Sequence, residues 1–296
     1  MIITTQGTRL KVADAHTHFA GDASRFDPTL ATIFRNLQPR QPFDQSRVGR
    51  DPAELVDYMD SAGIDVLCVL AEEGPPTHYS VDSTFVLGFA AQEPERIVPI
   101  GNVNHRIETN VRRRVRSLIR GGVRGFKQYY ADHHQNPYDR ALMPLYEVCA
   151  EHHLPVMFHC GLHSRYYMTN PAYGEPKLFE KLFDQFPEVP FVMCHGGKGG
   201  RHQQCIEILR DHSNTYIEIS DITPRALEEM CTEDLAERFI FGTDMPQFAD
   251  YAALIKVVLD LPLSVEAKRK ILFDNAARVF QLGVKKGTWM PAVHAA

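Results

Sequence analysis

The sequence predicts an α/β protein folded as one (β/α)8 barrel, and three observations carry that prediction. Eight short apolar runs alternate with amphipathic stretches along the chain. Several of the runs are continuously apolar, as strands buried on both faces of a parallel sheet are. The alternation also fills about 250 residues, the usual span of eight strand–helix units. A doubly wound sheet is the competing architecture, because alternation alone does not require closure.

The first run is Leu10–His16, and a long polar stretch, Gly21 to Arg50, follows it. That stretch predicts either a lid over the barrel mouth or an oligomer contact. Pro52–Ala62 carries Leu55, Val56 and Met59 at helical spacing. Strands are then expected at Ile64–Ala71, Ile97–Val103, Gly125–Tyr130, Pro155–Cys160, Val189–His195, Thr215–Ile219 and Arg238–Asp244. Between them, helical patterns cover Ser83–Gln92, Val111–Arg120, Ala141–His152, Lys177–Phe186, His202–His212 and Arg225–Leu235. Ser264 to Leu282 reads as an extra C-terminal helix.

Residues 1–296 read as a single domain. With 44% hydrophobic and 23% charged residues, the chain has the balance of a globular protein rather than a disordered one. A net charge of −5 and the lack of a basic stripe argue against nucleic acid as a partner. Arg112, Arg113, Arg114, Arg116 and Arg120 form the densest positive patch, which at this spacing predicts a solvated helix face. No apolar run reaches membrane-spanning length, and the N-terminus lacks a secretory pattern. The six cysteines include no Cys-x-x-Cys pair, so buried free thiols and a cytoplasmic location are expected.

The stretch "ADAHTHFA" places His16 and His18 at the end of the first strand. With 14 histidines, composition alone yields roughly 0.7 His-x-His pairs, so the pair needs support from elsewhere. In a barrel the chemistry sits at the C-terminal strand ends. There the fourth strand carries Lys127, the fifth ends at His159, the sixth at His195 and the eighth at Asp244. Each has an ordinary reading: backbone-bonded histidines, a helix-capping Asp244, an ion-paired Lys127. Those readings would have to coincide at one end of several strands. Alternation of side chains aims His16 and His18 the same way, close enough to share one ion. It also turns Cys160 and Cys194 towards the helices if His159 and His195 face the axis.

Six segments, in order along the chain, resemble the metal-dependent TIM-barrel hydrolases and decarboxylases of the amidohydrolase superfamily, in its amidohydrolase family 2 branch. They are "DAHTHF", "GVRGFKQYY", "LPVMFHCG", "FPEVPFVMCHGG", "NTYIEIS" and "FIFGTDMP", and "DNAARVFQL" resembles the closing helix. The resemblance implies His16, His18, His159 and Asp244 as ligands of one divalent metal, zinc first. Manganese, iron, cobalt and nickel also suit such ligands. It implies His195 as a second-metal ligand or a catalytic group, and Lys127 as a catalytic position that binuclear relatives carboxylate. Lys127-Gln128-Tyr129-Tyr130 departs from the branch's Lys-Leu-His-Pro, and His159-Cys160-Gly161 from its His-Thr-Gly. The glycines after His195 predict either a backbone cradle for an anion or a flexible loop.

The chemistry so implied is hydrolysis of an amide, lactone or ester, with Asp244 taking a proton from water and His195 serving the oxyanion or leaving group. Tyr129, His163 and Arg165 are the candidate substrate contacts, and an arginine among aromatics suits a carboxylate-bearing or cyclic substrate. The alternative is non-oxidative decarboxylation of an aromatic or unsaturated acid. A metal-free lactonase and a non-catalytic barrel rank behind both. A homodimer or higher homo-oligomer is expected from the fold.

Overall fold

The computed structural model describes residues 2–3, 9–21, 44–74, 80–162, 169–246 and 250–283. A short antiparallel pair, β1 (Ile2–Ile3) and β2 (Arg9–Leu10), precedes the barrel. Eight parallel strands follow: β3 (Ala13–Thr17), β4 (Val66–Leu70), β5 (Ile97–Ile100), β6 (Phe126–Gln128), β7 (Val156–Gly161), β8 (Phe191–Lys198), β9 (Thr215–Glu218) and β10 (Phe239–Ile240). They form two ladders, β3-β4-β5 and β6-β7-β8-β9-β10. No continuous ladder crosses the two seams among the described residues. Backbone hydrogen bonds cross them instead. At one seam Lys127 N donates to Gly101 O at 2.8 Å; at the other Ala15 N donates to Phe241 O at 3.0 Å and His18 N to Met245 O at 2.7 Å. The fold is a (β/α)8 barrel, as the alternation predicts.

Local chemistry sets the helix limits. Helix Pro52–Ala62 starts at Asp51, whose side chain accepts from Ala53 N, and ends at a left-handed Gly63. Helix Val111–Gly121 starts at Asn110 in the same way. Three of its arginines are ion-paired: Arg112 with Glu147, Arg114 with Glu73, Arg116 with Glu151. The positive patch is an outer helix face carrying these pairs. The expected helix over Arg225–Leu235 stops at Met230. The expected C-terminal helix consists of Val265–Arg269, a π-turn at Lys270–Asp274 and Asn275–Val279. Helix Tyr251–Asp260, which follows β10, has no counterpart in the sequence reading. Its buried residues Tyr251, Ile255 and Val258 repeat at helical spacing, away from exposed Ala252, Ala253, Lys256 and Asp260, so it packs as an ordinary amphipathic helix.

Two cores result. The outer one lies between strands and helices and includes Leu67, Phe126, Phe158, Phe179, Phe183, Phe191 and Phe239. The inner one fills the barrel with Ala13, Ala15, Cys68, Leu70, Val98, Ile100, Met157, Val192, Cys194 and Ile240, closed from below by Ala276, Val279 and Phe280. Phe158 and Phe179 pack as tilted rings with centroids 4.1 Å apart, and each buried ring is worth roughly 1.5–3 kcal/mol. All six cysteines are free and buried. Cys160 turns outwards as expected, its Sγ 3.7 Å from Cys205 Sγ. Cys194 does not: it belongs to the inner core, because alternation breaks at the next residue. No helix among the described residues is long and apolar enough to cross a membrane.

Candidate metal centre

A bulge aims His16 into the barrel mouth. Between Asp14 and Thr17, β3 holds one residue more than β4, whose matching positions are Leu67 and Val69. Asp14 therefore points away from His16, and its carboxylate braces the strand ends. Its Oδ1 accepts from His16 N at 3.0 Å and Thr243 N at 3.1 Å. Its Oδ2 accepts from Thr243 Oγ1 at 2.5 Å and Tyr251 OH at 2.7 Å. Burial pushes this carboxyl up to about 7, against the hydrogen bonds from Thr243, Tyr251 and His16. One fully buried acid thus fixes the backbones that carry His16 and Asp244.

Two other residues reach the mouth by unusual backbone. His195 has φ 66° and Asp244 has φ 57°, in the left-handed region that side chains disfavour. Such conformations persist where the surroundings over-determine them, often at functional sites. Beyond Cys194, β8 holds four residues where β7 holds two, since Cys194 pairs with His159 and Lys198 with Gly161. The glycines after His195 serve this geometry. A Cβ on Gly197 would lie 2.6 Å from Arg201 O, so that position is closed to larger residues. His195 to Lys198 continue the strand rather than forming a free loop.

Asp244 Oδ1 lies 3.4 Å from His16 Nε2 and 3.2 Å from His18 Nε2. At metal–ligand distances of about 2.0–2.2 Å, neighbouring ligand atoms of a tetrahedral ion stand about 3.4 Å apart and those of an octahedral ion about 3.0 Å. The trio therefore has the spacing of a divalent cation site, and its ligand atoms lie within 4.8 Å of one another. The electrostatics agree. Burial opposes charge on Asp244, but His16, His18 and Lys127 hold its carboxyl well below the usual carboxylate range. Burial, assisted by His16 and Lys127, lowers His18 despite its bond to Asp244. Burial and Lys127 also oppose charge on His16, yet Glu218, Cys194 and Asp244 push that ring up to about 10. Lys127 Nζ stands 3.0 Å from His16 Nε2, where two proton-bearing nitrogens cannot both face each other.

Glu218 supports the trio from β9. Its Oε2 accepts from His16 Nδ1 at 2.8 Å and from Ser220 Oγ at 2.9 Å, while Oε1 accepts from Ser220 N at 2.6 Å. Ser220 Oγ also meets His195 Nδ1 at 2.9 Å. Gly242 leaves room for the carboxylate: a Cβ there would lie 2.3 Å from Glu218 Oε1. Sequence reading missed Glu218, Ser220 and Asp14, although "EIS" closes the seventh strand, where a search of strand ends reaches it.

The expected residues fall as follows. His16, His18 and Asp244 converge. His195 neighbours them, its ring 5.1 Å from that of His16. His159 lies beside His195, with ring centroids 4.6 Å apart, and outside the tight trio. Lys127 is fully buried with Nζ 5.1 Å from the centre of the Tyr129 ring. Tyr129 packs 6.3 Å from His18. His163 and Arg165, and most of the expected lid, lie outside the described residues.

Comparison with known proteins places this geometry in context. The Amidohydrolase family model matches residues 13–282. No curated protein matches the chain. Among solved structures, an uncharacterized TIM-barrel protein from Bordetella bronchiseptica is 21% identical with a TM-score of 0.72, covering 92% of this chain and 99% of that one. A dihydroxybenzoic acid decarboxylase from a Polaromonas species, with bound manganese and the inhibitor 2-nitroresorcinol, is 16% identical with a TM-score of 0.69 over 95% and 100% of the chains. A probable 2-pyrone-4,6-dicarboxylic acid hydrolase from Acinetobacter baumannii is 15% identical with a TM-score of 0.63 over 92% and 100%. The fold is common to all three, and the family match spans nearly the whole sequence. The chain belongs to the amidohydrolase family.

Proposed function

We propose that the chain is a metal-dependent hydrolase that opens an amide, lactone or ester bond of a small, carboxylate-bearing or cyclic substrate. The observation that supports this most is one carboxylate oxygen, Asp244 Oδ1, set 3.4 and 3.2 Å from two imidazole nitrogens. His16, His18 and Asp244 would hold the cation, with His159 from β7 as a fourth ligand; zinc is the first candidate. When bound, the cation supplies a Lewis acid that acidifies water and polarises a carbonyl. Asp244 remains ionised and takes the proton of the attacking water on its carboxylate. His195 is the second proton-handling group, and Lys127 holds His16 in place through Nζ, 3.0 Å from its Nε2. Tyr129 lines the mouth, and His163 and Arg165 serve substrate recognition. The six buried, free cysteines suit a reducing, cytoplasmic setting.

A second reading, non-oxidative decarboxylation of an aromatic acid, draws support from the shared fold of the manganese-bound decarboxylase. There Asp244 and His195 would deliver a proton to carbon. Product analysis separates the two. Metal-loaded enzyme is incubated with a panel of lactones, amides and hydroxybenzoic acids. One new carboxylate per turnover, with no carbon dioxide, supports hydrolysis. Stoichiometric carbon dioxide overturns it in favour of the second reading.

A further inference from the structure

The hydrogen bonds around Ser220 fix where the protons of His195 reside. Proton counting begins at Glu218, whose oxygens accept from His16 Nδ1, Ser220 Oγ and Ser220 N. His16 carries its proton on Nδ1, which donates to Glu218 Oε2 at 2.8 Å; its Nε2 is the atom turned to Asp244. Ser220 Oγ is 3.5 Å from that same Nδ1, a donor already engaged, so the hydroxyl hydrogen does not go there. It goes to Glu218 Oε2 at 2.9 Å. A serine has one hydrogen to give. At 2.9 Å from His195 Nδ1 its oxygen must therefore accept, and Nδ1 must carry the hydrogen. The neutral ring then has its lone pair on Nε2.

We propose that Ser220 is a positioning residue that, backed by Glu218, locks His195 in the Nδ1–H tautomer and so makes it a proton acceptor first. His195 takes on Nε2 the proton that Asp244 has received from the attacking water and becomes an imidazolium, whose Nδ1–H still donates to Ser220. Only then does it give that Nε2 proton to a leaving group. The catalytic consequence rests on the function proposed above; the tautomer does not. His16 and His195 are thereby coupled, because both lean on the same Glu218 oxygen.

The test is long-range nitrogen–proton NMR of the zinc-loaded enzyme labelled with ¹⁵N-histidine, with the His195 signals assigned by their loss in His195→Gln. The expected result is a protonated Nδ1 and an unprotonated Nε2 in the native protein. Ser220→Thr keeps that signature, whereas Ser220→Ala shifts the hydrogen to Nε2 and lowers kcat by about 10–100-fold with little change in KM. A native His195 with its hydrogen on Nε2 overturns the proposal. So does a native signature preserved in Ser220→Ala. If no metal binds, the same spectra recorded without it still decide the tautomer, so failure of the metal reading is distinguishable.

Discussion

Replacing Gly242 by alanine should weaken the metal site without altering a ligand. The backbone φ of Gly242 is not positive, so alanine adds no backbone strain, and the effect comes from contact alone. The new Cβ would lie 2.3 Å from Glu218 Oε1, 2.7 Å from Cδ and 2.9 Å from Cγ. Ordinary contact distances require the carboxylate to retreat by roughly 1 Å. It has little freedom to do so, because its oxygens are held at 2.8, 2.9 and 2.6 Å by His16 Nδ1, Ser220 Oγ and Ser220 N. A retreat of that size breaks at least one of these bonds. Overpacking costs about 1–3 kcal/mol, and losing a hydrogen bond to a charged group about 1.5–3 kcal/mol. Disturbing an outer partner of a metal-binding histidine lowers metal affinity by about 10–100-fold. Chelator competition reads the affinity, and urea unfolding with and without zinc reads the stability. In a Glu218→Ala background the same substitution should cost far less, since the colliding group is gone. Unchanged affinity and stability in Gly242→Ala, or equal costs in both backgrounds, would refute this reading of the pocket.

Asp244→Asn should keep the circular dichroism of the native protein and lose at least about 100-fold in kcat; full turnover would remove Asp244 from the chemistry. Metal removal by chelator should lower the thermal midpoint, and added zinc should restore it, with no such response in His16→Ala. His133 is fully buried, and burial lowers its pKa to about 4, against the pull of Asp132 and with the push of His105 and His134. The unfolded chain therefore binds a proton near pH 6.5 that the folded chain refuses until about 4. Stability should be full above pH 6.5 and fall as the pH drops through that window, by up to about 3 kcal/mol. His133→Asn should flatten this part of the urea-midpoint profile, and an unchanged profile would assign the acid sensitivity to other groups.

The strands and most helices are legible because their signals are local. Asp51-Pro52 and Gly63 bound a helix by capping chemistry that any reader of the sequence can apply. Strand ends are legible as well, which is why His16, His18 and Asp244 emerge together. What the sequence hides depends on tertiary context. A strict two-residue period puts His195 and Cys194 on opposite faces, but the left-handed turn at His195 lets both reach the interior. Asp14 looks like a partner of His16 and His18 by parity, and one extra residue in β3 turns it away. Glu218 and Ser220 matter only because β9 lies beside β8 and close to β3, with Ser220 25 residues from His195 and Glu218 202 residues from His16 along the chain.

The most direct test of the central claim is elemental mass spectrometry of protein purified without chelators or an affinity metal, for the native chain and for His16→Ala, His18→Ala and Asp244→Asn. The account predicts about one divalent transition-metal ion per native chain and a marked loss in each variant, with folding retained by circular dichroism. A native protein that carries no metal and gains none on soaking, or variants that keep a full complement, would contradict it.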